Sequence, residues 1–431
     1  MKSSRISALA LAFTFCTQLR ALIVLFMPLC VIFSRKIFVC KKNHPIFFLY
    51  FLFIISSIVG LVTNTVDLSN VFLYTWICIP LIYIQFSNYT LNKKCSISWS
   101  IFFINLRSVL VIINIIGFLC FFIIFRTQDD FGRGYGEHFK SVSGLAFVNA
   151  FMVLYYFSKY LKQGLKRKEF FYFLFFSISH LLCFSALTSI CLIVAIAIYF
   201  LFRINWKLIL SVSILGVTFY YVIKIANPEV IDYNVNNVQY FIDNDSGDNK
   251  ARKKIMYLDF FKYYNHNIFR ASVFGVGPGG YNSRTSFLLN KDADNIFVDI
   301  IGTHMPKYHK QYIYPLWNSN FVDQSKYNDG ARNKPFSSMI SIAAELGVLF
   351  FIIFCIMWLR RIHTYLKQSN HDYEFLFLFF INVFVFTSMF TEYWMESSEY
   401  LLFLLLQGSL CAYKNQIKIT ENEYTNNFSK D

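Results

Sequence analysis

The chain has 431 residues, of which 56% are hydrophobic, 20% aromatic and only 15% charged. Soluble domains average about 25% charged residues, so this composition excludes an ordinary soluble domain and indicates a polytopic membrane protein. Lys and Arg number 40 against 25 Asp and Glu, but the basic residues fall in short clusters between apolar runs. That pattern is typical of membrane orientation signals, and it argues against nucleic-acid binding.

The first 33 residues contain two apolar runs whose helix count stays open. Residues 6–19 and 21–33 are each short for a membrane-spanning helix, and Arg20 separates them. Two short helices, with Arg20 near the outer surface, keep the basic start of the chain inside and are favoured. One long helix with a buried Arg20 is the alternative. A cleaved signal peptide is a third reading, although no small-residue cleavage site follows the apolar core.

Ten further apolar runs follow along the chain. They cover residues 45–62, 68–86, 101–125, 144–158, 170–187, 188–202, 207–226, 337–359, 374–390 and 400–413. With the first 33 residues they predict an all-α polytopic membrane protein with about twelve transmembrane helices, or eleven if one helix forms at the start. The predicted parts are N-terminal helices in residues 1–226, with a small outer loop at 126–143, a large polar loop at 227–336, C-terminal helices at 337–413, and a disordered tail at 414–431.

Basic clusters follow every second predicted span and set the orientation. They lie at residues 35–42, 93–94, 159–168, 203–207 and 360–367, whereas the intervening connections are acidic or charge-balanced. By the positive-inside rule both termini are cytoplasmic and the large loop lies outside, which in a bacterium is the periplasmic side of the inner membrane. This loop, expected to carry short helices, is the largest segment able to gather polar groups at one site that faces water.

Several familiar chemical signatures are missing from the sequence. It has no Gly-x4-Gly-Lys-Ser/Thr phosphate loop, no His-Glu-x-x-His and no Cys-x-x-Cys pair, so the usual motifs of ATP hydrolysis and zinc chemistry do not occur. Most of the ten cysteines lie in apolar runs. We interpret them as small packed side chains without a redox or metal role.

Arginines on the predicted outer side are the stronger signal, because the orientation bias does not require them there. They are Arg126, Arg133, Arg252, Arg270, Arg284 and Arg332. A guanidinium group is a planar fork of donors that binds phosphate oxygens in pairs, so a lipid diphosphate at the outer membrane surface is the expected partner. Pairing with acidic neighbours such as Asp292 and Asp294 is the structural alternative.

The large loop also contains a glycine run, Phe-Gly-Val-Gly-Pro-Gly-Gly-Tyr, at residues 274–281. Glycine permits positive φ and a close approach of backbone amides to an anionic group. A tight structural turn is the alternative.

Short motifs in a fixed order suggest a family. In chain order they are Arg133-Gly134-Tyr135 before the span that begins at Gly144, Ser246-Gly247, Arg252, the glycine run, and Glu345-Leu346-Gly347 at the next span. Across about residues 126–412 this order resembles the O-antigen polymerase and ligase superfamily. Ligases of that superfamily typically carry a His-Asn pair about nine residues before the Glu-x-Gly element, where this chain has Phe336-Ser337. The difference favours the polymerase type.

The resemblance implies a glycosyltransferase of lipopolysaccharide O-antigen biosynthesis. An acceptor hydroxyl attacks the anomeric carbon of an undecaprenyl-diphosphate-linked oligosaccharide, and undecaprenyl diphosphate leaves. It implies the lipid bilayer and a chain-length regulator protein as further partners, and no cofactor or metal, because arginines can stabilise the charge that develops on the diphosphate. An O-antigen ligase and a non-enzymatic flippase of lipid-linked oligosaccharides are the alternatives.

By the same resemblance, residues of this chain receive roles. Arg133 and Arg252 clamp the diphosphate, and Arg126, Arg270, Arg284, Gly277 and Gly280 contact the substrate. His304 and Glu345 are the first choices for the general base, with His266 and His309 as competitors.

Overall fold

The structure is a computed structural model of the chain. It describes residues 38–39, 45–86, 88–89, 99–124, 131–132, 135, 140–202, 217, 221, 224, 252–288, 305–316, 335–370, 372–392, 395 and 397–428. These residues are helical apart from turns and one antiparallel pair of two-residue strands, β1 (Phe38–Val39) and β2 (Asn88–Tyr89). The predicted all-α class is therefore confirmed. The choice between one and two helices at residues 6–33 lies outside the described part of the chain.

Six helices come from the N-terminal half and coincide with predicted apolar runs. They are α1 (Ile46–Val62), α2 (Leu68–Phe86), α3 (Trp99–Leu119, continued by a π-helical turn at Cys120–Ile124), α4 (Lys140–Gln163), α5 (Arg167–Leu182) and α6 (Ala186–Phe202). The predicted run at 207–226 lies almost entirely outside the described residues.

Seven further helices follow. They are α7 (Arg252–His266), α8 (Ile268–Val273), α9 (Arg284–Leu288), α10 (Ser338–Leu346), α11 (Val348–Gln368), α12 (Tyr373–Ser388) and α13 (Ser398–Phe428), with a π-helical turn at His309–Ile313 and a 3-10 turn at Tyr314–Leu316 before α10.

Two sequence predictions about these C-terminal helices were wrong. The run at 337–359 is not one helix, because Gly347 has a φ of +91° and separates α10 from α11. The tail after residue 413 is not disordered from its start, because α13 continues to Phe428. Lys414 in this continuation pairs with Asp372 and Glu374, which fixes its first residues against the start of α12.

The apolar helices indicate a membrane protein. Four segments in the described residues are long and apolar enough to cross a membrane: α2, Trp99–Ile124, Val142–Gln163 and α11; three apolar helices are shorter, namely α1, Ala186–Leu201 and α12. On α1, Phe47, Phe51, Ile54 and Ile58 recur every three or four residues and are about half exposed. One stripe of large apolar side chains therefore faces outward, as on a helix that borders lipid. The total of twelve spans stays a prediction.

Helix α12 lies at the centre of the bundle. Its residues from Glu374 to Val385 are all buried, and it packs against α4, α6 and α11. The Phe384 ring contacts those of Phe147 and Phe151 on α4, and Asn382 accepts a hydrogen bond from the Trp358 indole at 3.1 Å. A helix surrounded by others needs no polar face, which explains why apolar residues occur on all sides of it.

Residues 252–288, 305–316 and 335–346 form a separate unit, here called the lobe. Its own hydrophobic core includes Met256, Tyr263, Val276, Tyr281 and Ala344. The lobe sits on the bundle where α1 and α12 end, because Thr65 donates to Val276 O at 2.6 Å and Met339 N donates to Met389 O at 3.2 Å. The lobe and one end of the bundle thus share an interface.

Candidate functional site

Helix α10 brings Glu345 to the middle of the lobe. Its N-cap is Ser337, whose hydroxyl accepts a hydrogen bond from Ile340 N at 3.2 Å. The helix ends after Leu346, because Gly347 adopts a backbone conformation that other residues rarely take. Glu345 is the next-to-last residue of the helix, and its side chain is completely buried.

The Glu345 carboxylate binds the backbone of the glycine run and of the two residues that follow it. Oε2 accepts from Gly279 N at 2.8 Å, and Oε1 accepts at 2.9 Å from each of Tyr281 N, Asn282 N and Ser283 N. Such a concave row of amides is an anion-binding nest. The sequence predicted that this run would approach an anionic group, and the anion in the structure is the chain's own Glu345.

Two opposing effects act on the pKa of Glu345. Burial raises the pKa of this carboxyl to about 7, whereas hydrogen bonds from Tyr281, Gly279 and Ser283 lower it. All four amides can only donate, so they are satisfied by the ionised form. The geometry makes Glu345 the residue that positions the glycine run, since its oxygens are occupied and enclosed.

The glycine run in turn completes the end of α10. Val276 N donates to Ala344 O at 2.9 Å, and Gly277 N donates to Glu345 O at 3.0 Å. The last carbonyl groups of a helix have no partner within the helix, and here the run supplies one. Ser56 of α1 adds a hydroxyl hydrogen bond to Glu345 O at 2.9 Å. Helix, run and bundle are thus connected at one residue.

Glycine is needed at these positions because neighbouring protein atoms fill the space of a side chain. A Cβ on Gly275 would lie 2.4 Å from Glu345 O, and one on Gly277 would lie 3.1 Å from Gly60 Cα. At Gly280 a Cβ would meet Val66 Cγ1 at 2.6 Å. The predicted close approach at Gly277 and Gly280 is therefore made by the turn between α1 and α2.

Arg270 joins that turn to the glycine run. Its Nη2 donates at 2.8 Å to both Thr63 and Thr65, and its Nε donates to Gly275 O at 3.1 Å. The guanidinium is only partly buried and lies 5.7 Å from the ring centre of Tyr308. No carboxylate of the described residues pairs with it. Arg270 is consequently a fixed cation at the junction of lobe and bundle, with a side still open to an anionic ligand.

The other arginines named from the sequence occupy different surroundings. Arg252 is only 3% exposed, donates from Nη1 to Leu316 O at 3.2 Å, and has its pKa lowered by burial. Arg284 begins α9 and is half-buried. Arg126, Arg133 and His304 lie outside the described residues. Arg270 is therefore the described arginine with a side-chain hydrogen bond to the glycine run, at Gly275.

His309 is the histidine that belongs to this network. Its Nδ1 lies 2.7 Å from Tyr281 O, so Nδ1 carries the proton and Nε2 keeps its lone pair. Nε2 is buried and has no hydrogen-bond partner among the described residues. Burial lowers the pKa of His309 to about 4. His266, by contrast, is exposed at the end of α7. No sequence signal separates His309 from His304, so only the fold selects it.

The connection between α12 and α13 ties the lobe to the bundle from another side. Lys253 lies 3.9 Å from the Glu392 carboxylate and also donates to Thr391 O. Ser338 N donates to Glu392 O at 3.1 Å, and Ser338 Oγ accepts from Met395 N at 3.2 Å. Because α13 begins directly after this connection, the start of α13 lies at the same end of the bundle as the lobe.

Tyr135 meets the start of α13. Its hydroxyl donates to Glu399 Oε1 at 2.8 Å in a buried position, and Ser398 Oγ lies 3.0 Å from Oε2. A Cβ on Gly144 would clash with both residues, at 2.6 Å from the Glu399 carboxylate and 2.7 Å from the Tyr135 ring. This pair therefore anchors Tyr135, which is two residues from Arg133 in the sequence, at the lobe end. Sequence reasoning did not single out Glu399.

The site offers the partly buried Arg270 guanidinium, which suits anion binding, whereas its row of amides is occupied by Glu345 and the His309 imidazole is enclosed. Within the described residues, no group of three or more His, Cys, Asp or Glu could hold a metal ion. No model of a known protein family matches the chain, and no curated protein matches it either.

Proposed function

We propose that the chain is an O-antigen polymerase, which joins undecaprenyl-diphosphate-linked oligosaccharide repeat units at the periplasmic face of the bacterial inner membrane. One observation carries the proposal. Glu345 of the Glu-x-Gly element is hydrogen-bonded to the glycine run, 66 residues earlier in the chain. Two motifs that suggested the superfamily separately are thus parts of one packed unit.

A second observation extends the same unit. The Tyr135–Glu399 pair lies at the end of the bundle where Arg270 lies, and Tyr135 is two residues from Arg133 in the sequence. An outer diphosphate site needs cations from more than one segment, because the negative charge is spread over several oxygens. Arg133 and Arg270 are suited to bind the negative charge of the diphosphate together. Arg252, inside the lobe, supports the lobe through Leu316.

The proposed reaction forms one C–O bond and breaks another. The acceptor hydroxyl oxygen attacks the anomeric carbon, the bond from that carbon to the diphosphate oxygen breaks, and its electron pair leaves with undecaprenyl diphosphate. The hydroxyl proton passes to a base. Because a diphosphate is already a good leaving group, fixed cations contribute more than the base does. Among the described residues, His309 Nε2 has no hydrogen-bond partner, but the side chain is buried and its pKa of about 4 makes it a weak base at neutral pH.

Reconstitution separates the candidate functions. The purified chain in liposomes is given lipid-linked repeat units, and the products are resolved by size. A polymerase produces a ladder of lipid-linked oligomers and releases one undecaprenyl diphosphate for each bond formed. A ligase extends nothing until a lipid A-core acceptor is added, and a flippase moves the substrate without making a bond.

The cellular experiment distinguishes the same three. Loss of a polymerase gene leaves lipopolysaccharide capped with a single repeat unit, whereas loss of a ligase or a flippase leaves it uncapped. Reporter fusions within residues 227–336 test the orientation independently. Cytoplasmic activity of those reporters would exclude a periplasmic site.

A further inference from the structure

A second polar site lies at the opposite end of the bundle from the lobe. Helix α11 begins beside Glu345 and runs for 21 residues, which is about 30 Å, before the chain turns into α12. Tyr373, the first residue of α12, lines a cleft of about 310 Å³. The cleft also contains Arg107 from α3, with Tyr156 and Lys159 from α4.

Arg107 lies within a membrane-spanning helix and is only partly buried. Its guanidinium stacks on Tyr172, 4.6 Å from the ring centre, and Nη1 donates to Tyr156 Oη at 3.4 Å. No carboxylate of the described residues pairs with Arg107. Charged side chains in membrane spans are costly and are kept for a function, so an unpaired guanidinium of this kind calls for an anionic partner.

The acidic groups of the cleft have basic partners of their own. Glu169 pairs with Lys159 at 2.5 Å. Glu374 shares Lys414 with Asp372, which lies 2.5 Å from the lysine. Neither of these ion pairs includes Arg107. The Arg107 guanidinium therefore lacks a carboxylate partner among the described residues, and it is a planar fork that binds phosphate oxygens in pairs.

The walls of the cleft identify the kind of anion. They are rich in aromatic residues, namely Trp99, Phe103, Tyr155, Tyr156, Tyr373 and Tyr413. Ile104 also lines the cleft and is 47% exposed, on the same outward side of α3 as Ile101 and Ile112. The opening therefore reaches the apolar surface that borders lipid. Trp and Tyr at the end of a bundle are typical of the membrane interface, where phospholipid headgroups lie.

We propose that the Arg107 cleft binds the phosphate of an anionic membrane phospholipid, with the Arg107 guanidinium as the phosphate ligand and the acyl chains along the exposed isoleucines of α3. This lipid site is about one membrane thickness from the lobe. It is independent of the glycosyl-transfer reaction.

Binding of phosphatidylglycerol to the purified full chain in a neutral detergent tests the proposal, with native mass spectrometry as the readout. Arg107→Gln removes the cation, and we expect about a tenfold weaker affinity. The matched control is Arg360→Gln, which removes an exposed arginine from the same end of the bundle, on α11. The control is expected to bind within twofold of the wild type. Equal losses in the two variants would show that only general charge attraction is at work and would overturn the proposal.

Two further experiments distinguish a lipid site from a free-anion site and from a loss of folding. Inorganic phosphate replaces the lipid, and an Arg107-dependent response to phosphate without any to phosphatidylglycerol would replace the lipid site with a free-anion site. Arg107→Lys keeps the charge but not the planar fork, so partial binding is expected even if Arg107→Gln is too unstable to purify. Wild-type affinity in Arg107→Lys, and in Arg107→Gln if it can be purified, would overturn the proposal.

Discussion

Glu345 and His309 are bound to the two sides of a single residue. The backbone N–H of Tyr281 donates to Glu345 Oε1 at 2.9 Å, and its carbonyl accepts from His309 Nδ1 at 2.7 Å. The end of the glycine run is therefore held between α10 and the π-helical turn that begins at His309. Any change in the protonation or position of one partner acts on the other through this residue.

The first prediction concerns the Glu345 carboxylate. In Glu345→Gln the amide oxygen can still serve Tyr281, Asn282 and Ser283, but the NH2 group faces the N–H of Gly279. A buried donor without an acceptor costs about 1–3 kcal/mol, so the thermal midpoint of the purified protein should fall clearly. Asp259→Asn is the control, since its salt bridge is with the largely exposed Lys262. Similar falls in the thermal midpoints of Glu345→Gln and Asp259→Asn would contradict the binding of Glu345 by these amides.

The second prediction separates backbone strain from steric overlap. Gly275 and Gly164 have nearly the same positive φ, +69° and +71°, but a Cβ on Gly164 meets no atom within 4 Å. Both alanine variants incur the cost of the left-handed conformation, about 1–2 kcal/mol. Gly275→Ala must in addition displace Glu345 O. We expect a much larger drop in thermal midpoint for Gly275→Ala, and equal drops would mean that the run does not pack on α10.

The third prediction is a pH dependence that isolates His309. Burial lowers its pKa from 6.5 to about 4, so the unfolded chain binds more protons in that range. The stability contributed by neutral His309 is complete above pH 6.5 and is lost as the pH falls toward 4, by about 3 kcal/mol in total. His309→Asn keeps a donor for Tyr281 O but does not titrate.

The measurement is the difference in thermal midpoint between wild type and His309→Asn from pH 7 to pH 4. We expect the thermal midpoint of the wild type to fall more steeply on acidification than that of His309→Asn. Glu345 acts in the opposite direction, because its raised pKa makes its contribution fall as the pH rises from 4.5 to about 7. Both proteins contain Glu345, so the difference isolates the effect of His309, including any effect that it has on Glu345 through Tyr281. A constant difference would show that His309 is not buried.

The fourth prediction concerns the Tyr135–Glu399 pair. Tyr135→Phe removes the hydrogen bond to the buried Glu399 carboxylate, which costs about 1–3 kcal/mol. Under the proposed function, it also lowers chain extension in the liposome assay, because Tyr135 is two residues from Arg133 in the sequence. Tyr160→Phe is the control, since Tyr160 is half exposed on α4. Full chain extension by Tyr135→Phe at reduced stability would show that the Tyr135–Glu399 hydrogen bond is not needed for the reaction.

The fifth prediction concerns Arg133 itself and rests on the proposed function. Arg133→Ala should abolish chain extension. Arg133→Lys should retain little, because an ammonium group cannot bind two phosphate oxygens in a plane. Both are measured as oligomer ladders at equal amounts of membrane-inserted protein. Wild-type ladders from the lysine variant would remove the bidentate clamp from the proposal.

The sequence by itself determined the all-α class and the approximate positions of the apolar helices described in residues 45–202. Transfer of an apolar run into lipid depends on the composition and length of that run, both of which are local properties. Helices α1 and α2 accordingly coincide with the runs predicted at 45–62 and 68–86. Glycine also permits backbone amides to approach an anion wherever it occurs, but the composition of the run left open whether it would bind a ligand or form a structural turn.

Only the tertiary structure decided which groups meet. It placed Glu345 in the nest, His309 beside Tyr281, Tyr135 on Glu399, and an arginine cleft at the far end of the bundle. The residues of the Tyr135–Glu399 pair are 264 positions apart. Hydrogen bonds and burial at such separations depend on how the helices pack. No local pattern of residues carries that information.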